Sequence, residues 1–260
     1  MPRVMGIINV TPDSFYSSSR KETISDVLTQ AEKMLTEGAT FLDVGGYSSR
    51  PTASRVNEQD EIDRIIGPIE ALVNAFPEVI VSVDTFRSNV ARKAVDVGAR
   101  IINDISGGNL DPLMLKTVAE LRVPYIAMHM KGTPQTMVDL ADYDDILKEV
   151  FHYFSKVLHD CNDLGINDVI IDPGFGFAKK PSQGFFLLKN MEYLLKLNKP
   201  LLVGLSRKSM IYKTLGIEAK DALNGTTSLN TLALLKGANI LRVHDVKEAV
   251  EVIKLIDQIK

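Results

Sequence analysis

A chain of 260 residues with 30 basic and 33 acidic side chains carries a formal charge of −3, which leaves no surplus of cations for a nucleic-acid backbone. The length suits one barrel-sized domain over residues 1–260, large enough to bury a core without a disulfide or metal staple, and the single Cys161 fits a small hydrophobe in a reducing compartment. The opening Met1-Pro2-Arg3 leads into an apolar run broken at Gly6 and Asn9, too short for a secretory segment or a membrane span, so a cytoplasmic protein with no membrane partner is expected.

Along the chain, apolar runs and helical periodicity alternate. A strand is predicted over 4–10, followed by Ile24, Val27, Leu28, Ala31, Met34 and Leu35 at helical spacing, with Gly38 closing the unit. Predicted strands at 41–44, 79–83, 101–103 and 125–128 then alternate with predicted helices at 58–75, 88–97, 112–121 and 143–164. Next come a predicted strand at 169–171, a helix at 183–197, and a strand at 201–205 with a short helix at 210–215. The last unit is a predicted strand at 239–243 and a helix carrying Val246, Ala249, Val250, Ile253 and Ile256. Eight strands alternating with eight helices predict an α/β fold, a single-domain (β/α)8 TIM barrel, with an open doubly wound sheet as the alternative.

In such a barrel the chemistry sits at the carboxyl ends of the strands, and here those ends are polar. In order they offer Asn9, Asp43, Asp84, Asn103-Asp104, His129, Asp172, Lys208 and Arg242-Val243-His244, read together as groups facing one cavity. Each alone is as well explained as a helix cap or, for Lys208 between Ser206 and Ser209, as a solvated basic turn; eight together are not. Asp84 and Asp172 accept hydrogen bonds, Asn103 does both and Lys208 donates, a set that suits a flat guanine-like or pterin-like ring. Arg242 and His244, with Asn9 and the Ser48-Ser49-Arg50 loop, offer donors and positive charge to phosphate oxygens, and the Asn9 amide oxygen with diphosphate oxygens suits Mg2+. For His244 the plainer reading is a structural histidine fixed by Asp245. Residues 174–179 (GFGFAK) lack the Gly-Lys-Ser/Thr ending of a phosphate-binding P-loop, so their glycines are read as bending a loop.

Residues 5–15 (MGIINVTPDSF), 43–46 (DVGG), 82–85 (SVDT), 102–104 (IND), 128–134 (MHMKGTP), 172–174 (DPG), 206–209 (SRKS) and 242–245 (RVHD) resemble, in this order, the motifs of the dihydropteroate synthase family. The resemblance covers nearly the whole chain. It implies an enzyme that condenses 6-hydroxymethyl-7,8-dihydropterin diphosphate with 4-aminobenzoate, giving 7,8-dihydropteroate and diphosphate with Mg2+ as cofactor, and commonly a homodimer. By the same resemblance Asp84, Asn103, Asp172, Lys208 and Arg242 match pterin-binding positions, while Asn9, Arg242 and His244 match those for diphosphate and Mg2+, with Asn9 as the metal ligand. Asn9, Lys208, Arg242 and His244 are thus the implied catalytic set. Phe15, Ser49, Arg50, Pro51, Phe177 and Ser209 match positions around the aminobenzoate.

Three stretches depart from the family pattern: Tyr16 to Ser19 replace the usual Ser-Asp-Gly-Gly, Tyr47 and Thr52 replace Glu and Gly, and Ala178 and Lys180 replace Gly and Thr. Two rivals remain. A pterin-binding methyltransferase barrel could share the Asp and Asn tips but has no need of the Arg50, Arg242 and His244 cluster. A catalytically silent pterin-binding barrel would be expected to lose some of Asn9, Lys208 and Arg242, all of which are present.

Overall fold

In the computed structural model, which describes residues 1–10, 20–47 and 56–259, the apolar runs form parallel strands and the periodic segments pack back on them as helices. The elements are β1 (Arg3–Asn9), α1 (Arg20–Thr36), β2 (Phe41–Gly45), α2 (Glu58–Ala75), β3 (Ile80–Asp84), α3 (Ser88–Asp96), β4 (Ile101–Asp104), α4 (Met114–Leu121) and β5 (Tyr125–Met128). They continue with α5 (Ile146–Asp163), β6 (Val169–Asp172), α6 (Pro181–Lys189), β7 (Leu202–Val203), α7 (Ser209–Leu215), α8 (Leu223–Leu235), β8 (Ile240–Val243) and α9 (Val246–Ile256). The strands run in the order β6-β5-β4-β3-β2-β1-β8-β7, and a parallel bridge between Ile171 and Leu201 joins the two ends. The sheet therefore closes into the expected barrel, and the doubly wound alternative falls.

Two departures from the predicted elements have local causes. The helix expected over 183–197 breaks at Asn190, whose side-chain amide donates to the Phe186 carbonyl at 2.8 Å, and the chain continues as a 3-10 segment over Met191–Leu197. Such a side-chain bond competes with helix propagation. The helix α8 was not expected, because Thr226 and Asn230 occupy buried positions and interrupt the apolar stripe that would have signalled it.

One residue from each strand fills the bottom of the barrel: Met5, Phe41, Ile80, Ile101, Ile126, Ile170, Leu202 and Ile240. A larger apolar shell, including Ile8, Leu42, Val83, Ile65, Phe154 and Val203, lies between strands and helices. Side chains alternate along a strand, so residues two or four beyond this inner layer also face the lumen, nearer its carboxyl-end mouth.

Candidate functional site

Counting upward from the inner layer sorts the polar strand ends by parity. Asp43 stands two beyond Phe41, Asp84 four beyond Ile80, Asn103 two beyond Ile101, Asp172 two beyond Ile170 and Arg242 two beyond Ile240. All five fall on the lumen side, and contacts across the barrel agree. Arg242 on β8 donates from Nε to Asp43 Oδ2 on β2 at 2.6 Å and from Nη2 to Asp84 Oδ2 on β3 at 2.6 Å. Asn103 on β4 donates to the same Asp43 oxygen at 2.9 Å. Asp43 is fully buried, and its Oδ1 has no hydrogen-bond partner among the described residues.

The odd positions turn the other way, which corrects the reading of all the tips as one cavity. Asp104 accepts from the Tyr125 hydroxyl and from Ser106 and Gly108, so it builds the turn after β4. His129 packs edge-on against Tyr153 at 4.8 Å and faces Phe154 on α5, outside the lumen. Parity alone separates both from the site.

The electrostatics of the lumen are those of opposed charges taken partly out of water. Desolvation pushes Asp84 up to about 7, against the pull of Arg242, and the carboxylates of Asp43, Glu61 and Asp104 add to the rise. Asp172 is also raised by desolvation, countered by the Gly174 N–H and by Lys208, Arg242 and Lys179. For Arg242, desolvation opposes the charge, but Asp43 and Asp84 outweigh it and hold the guanidinium firmly protonated. Lys208 is pushed down to about 8 by desolvation, with Asp172 favouring its charge and Arg242 opposing it.

Lys208 sits at the start of α7, with its ammonium 4.2 Å from the centre of the Phe177 ring, a cation-π contact. Phe177 is delivered by the β6–α6 loop, which is pinned at its root by Gly174 N–H donating to Asp172 Oδ1 at 2.8 Å. Gly174 has φ +68°, and a Cβ there would lie 2.1 Å from the His129 carbonyl oxygen, so no other residue fits. Ala178, where the family commonly has Gly, also adopts a left-handed φ of +47°. Ser209 is half-buried as the first residue of α7.

At the rim, His244 Nδ1 lies 2.9 Å from Ser206 Oγ, not against Asp245. Asp245 is engaged by Arg207 through Nη2 at 2.7 Å and Nε at 3.0 Å. Partial desolvation, then Arg242, hold the His244 imidazole below its ordinary pKa, so it is neutral at pH 7 and offers an N–H rather than the positive charge expected from the sequence. Asn9 is exposed at the end of β1, four residues beyond Met5 and on the lumen side. Phe15, Ser49, Arg50 and Pro51 lie outside the described residues.

Flanking the lumen is a network that the sequence reading did not single out. Glu61 on α2 is fully buried, accepts from Thr85 Oγ1 at 2.6 Å and pairs with Arg87. Arg87 also donates to the Val56 carbonyl at 2.7 Å, where the chain returns after the 48–55 segment, and lies over the rings of Phe86 and Tyr47. Tyr47, one of the departures from the family pattern, packs edge-on against Phe86 and accepts from Gln135 at 2.8 Å. A charged residue at the helical spacing of a core stripe, as Glu61 is beside Ile62 and Ile65, was the available signal.

The sequence that builds this lumen matches the pattern of the pterin binding enzyme family over residues 5–244. The chain is 42% identical over 258 residues to dihydropteroate synthase of Escherichia coli strain K12, covering 98% of this chain and 91% of that one. The chain belongs to the dihydropteroate synthase family. Among solved structures, Xanthomonas albilineans dihydropteroate synthase with 4-aminobenzoic acid superposes with a TM-score of 0.92 at 39% identity, covering 99% of this chain and 93% of that one. The same bacterium's dihydropteroate synthase in complex with 7,8-dihydropteroate gives 0.89 at 36% identity, with coverage of 99% and 93%. Dihydropteroate synthases are transferases, so this chain is an enzyme.

Proposed function

We propose that this dihydropteroate synthase joins 6-hydroxymethyl-7,8-dihydropterin diphosphate to 4-aminobenzoate in folate biosynthesis, acting as one pterin-binding domain over residues 1–260. The observation that carries the reading is the lumen layer of Asp84, Asn103, Asp172 and Arg242, with Lys208 at its edge. Asp172 and Asp84 accept from the ring N–H groups, Asn103 pairs a donor with an acceptor, and Lys208 donates to the ring carbonyl. Phe177 and Ser209, together with Phe15, Ser49, Arg50 and Pro51, surround the aminobenzoate.

The reaction breaks the bond between the pterin methylene carbon and the diphosphate oxygen, which leaves with the electron pair. The aromatic amine then forms the new bond to that carbon and releases its proton. Negative charge grows on the departing oxygen, so groups already aimed there accelerate the step, one such donor being worth roughly 10²–10³ in rate. Arg242 and the His244 N–H serve that oxygen, and no nucleophilic side chain is required. Among the described residues no cluster of three His, Cys, Asp or Glu side chains is placed to hold a metal ion. The exposed Asn9 amide instead fits a hard cation shared with phosphate oxygens and water, which is how Mg2+ is usually bound at phosphate sites. When bound there, Mg2+ would neutralise diphosphate charge.

No helix among the described residues is long and apolar enough to cross a membrane; residence in the cytoplasm is part of the proposal. So is a homodimer, which sedimentation would test. The deciding experiment is diphosphate release with both substrates and Mg2+, and with each omitted in turn. Release that requires all three supports the assignment; release independent of 4-aminobenzoate rejects it.

A further inference from the structure

Lys179 is a buried lysine with no carboxylate among the described residues within ion-pair reach. Its ammonium is 2.8 Å from His129 Nδ1, 3.0 Å from the carbonyl oxygens of Gly174 and Phe177, and 3.4 Å from that of His129. Three N–H donors thus serve two backbone turns of the β6–α6 loop and the end of β5. Desolvation pushes the Lys179 ammonium down to about 7, with Asp172 opposing the shift, while carbonyls and an imidazole satisfy its donors. Lys208 and Lys131 face it with like charge. His129 is kept neutral by desolvation and by Lys179 itself, which leaves Nδ1 free to accept.

The geometry points to Lys179 as a positioning residue for the pterin site: its ammonium clamps the β6–α6 loop onto β5 and so sets Phe177 against Lys208. Several contacts link the clamp to the site. The Gly174 whose carbonyl Lys179 holds is the residue whose N–H fixes Asp172, and the Phe177 whose carbonyl it holds carries the ring against the Lys208 ammonium. Lys179 also adds positive charge near Asp172, favouring the ionised carboxylate that accepts ring N–H groups. Removing the ammonium would free the loop and weaken that charge together, without deleting any group that touches the ligand.

This inference rests on the reading above for the identity of the ligand, and its test reads binding directly. Lys179→Met, checked for a cooperative melt, is expected to bind 6-hydroxymethyl-7,8-dihydropterin diphosphate at least tenfold more weakly by calorimetry. Its KM for that substrate should rise in proportion, and the KM for 4-aminobenzoate should rise with it, because the Phe177 ring carried by the loop also borders that substrate. Because the effect runs through the loop, Phe177→Leu should weaken binding too, and the double variant should lose less than the sum of the two, as coupled residues do. Folded Lys179→Met with wild-type affinity, or fully additive losses, would overturn the role. Failure of both Lys179→Met and Lys179→Gln to melt cooperatively would also overturn it, by assigning Lys179 to the fold instead. Wild-type protein that binds the pterin diphosphate but releases no diphosphate would reject the proposed reaction and leave this test intact. Wild type that binds none would remove both.

Discussion

Arg242 donates to Asp84 Oδ2 at 2.6 Å while its Nε holds Asp43, so one guanidinium from β8 ties together carboxylates on β2 and β3 at the mouth of the barrel. In the free enzyme one Asp84 oxygen is thereby committed to Arg242. In the function proposed above, the same guanidinium serves the departing diphosphate oxygen. Arg242→Ala is expected to lower kcat as well as raise KM, because the interaction strengthens as charge develops, whereas loss of uniform binding would raise KM alone. It should also cost about 3–5 kcal/mol of stability, since Asp43 would be left buried without a counter-charge, held only by the Asn103 amide. Arg242→Lys should recover part of the activity, because a point charge cannot serve two carboxylates and phosphate oxygens as a planar fork does. Steady-state diphosphate release normalised to folded protein by thermal melting decides it; unchanged kcat rejects the role.

Asp172 and Asp84 differ in what they already hold, and their variants should differ accordingly. Asp172 spends Oδ1 on Gly174 N–H, whereas Asp84 spends Oδ2 on Arg242. Either change to Ala is expected to weaken pterin diphosphate binding by about 1–3 kcal/mol, the cost of leaving polar groups unpaired. Only Asp172→Ala should also loosen the β6–α6 loop, seen as faster amide exchange at Gly174. Wild-type affinity by calorimetry in both variants would remove these two residues from the pterin site.

Much of the site was legible because strand ends and period-two alternation are local properties. Asn9, Asp84, Asn103, Asp172 and Arg242 could be named from the apolar runs that precede them. What the runs do not encode is parity with respect to the lumen, which depends on register, and so Asp104 and His129 were read into a cavity they face away from. Pairings across the barrel were equally hidden: Arg242 and Asp43 stand 199 residues apart, and no spacing rule links them. The helix α8 escaped because its buried Thr226 and Asn230 are polar, Thr226 serving the Arg207 N–H at 3.0 Å instead of filling an apolar stripe. Lys179 read as the tail of a bending loop, since nothing in the sequence shows that its ammonium turns inward.

Gly174 offers a test of how tightly that loop is seated. With φ +68° and the His129 carbonyl oxygen 2.1 Å from where a Cβ would stand, Gly174→Ala cannot be accommodated without moving β5 or the loop. It should lower the melting temperature and weaken pterin binding together. Gly165, also at positive φ but with nothing within 4 Å of its Cβ position, serves as the control. Its Ala variant should cost only the backbone strain, about 1 kcal/mol or somewhat more, and spare binding. Equal losses of binding in the two variants would contradict the close seating of Gly174.

The Glu61–Arg87 pair predicts a pH dependence whose sign can be worked out. Desolvation raises the Glu61 carboxyl above its ordinary value, opposed by Thr85 and Arg87. A carboxyl raised in the folded state binds its proton more tightly there than in the unfolded chain, so stability is greatest below the unfolded value of 4.5 and falls as pH rises through the folded one. In the wild type Arg87 limits that loss. Arg87→Met removes both its charge and its hydrogen bond, so the Glu61 carboxyl rises further and the deficit against wild type should widen from pH 5 to pH 8, reaching about 3–5 kcal/mol for a buried charge left unpaired. Adding Glu61→Gln, which is neutral throughout, should flatten the dependence and recover part of the loss. The measurement is chemical denaturation of the three proteins across that range, and a deficit in Arg87→Met that is constant with pH would show that Arg87 acts through its contacts with Val56, Phe86 and Tyr47, not through the Glu61 charge.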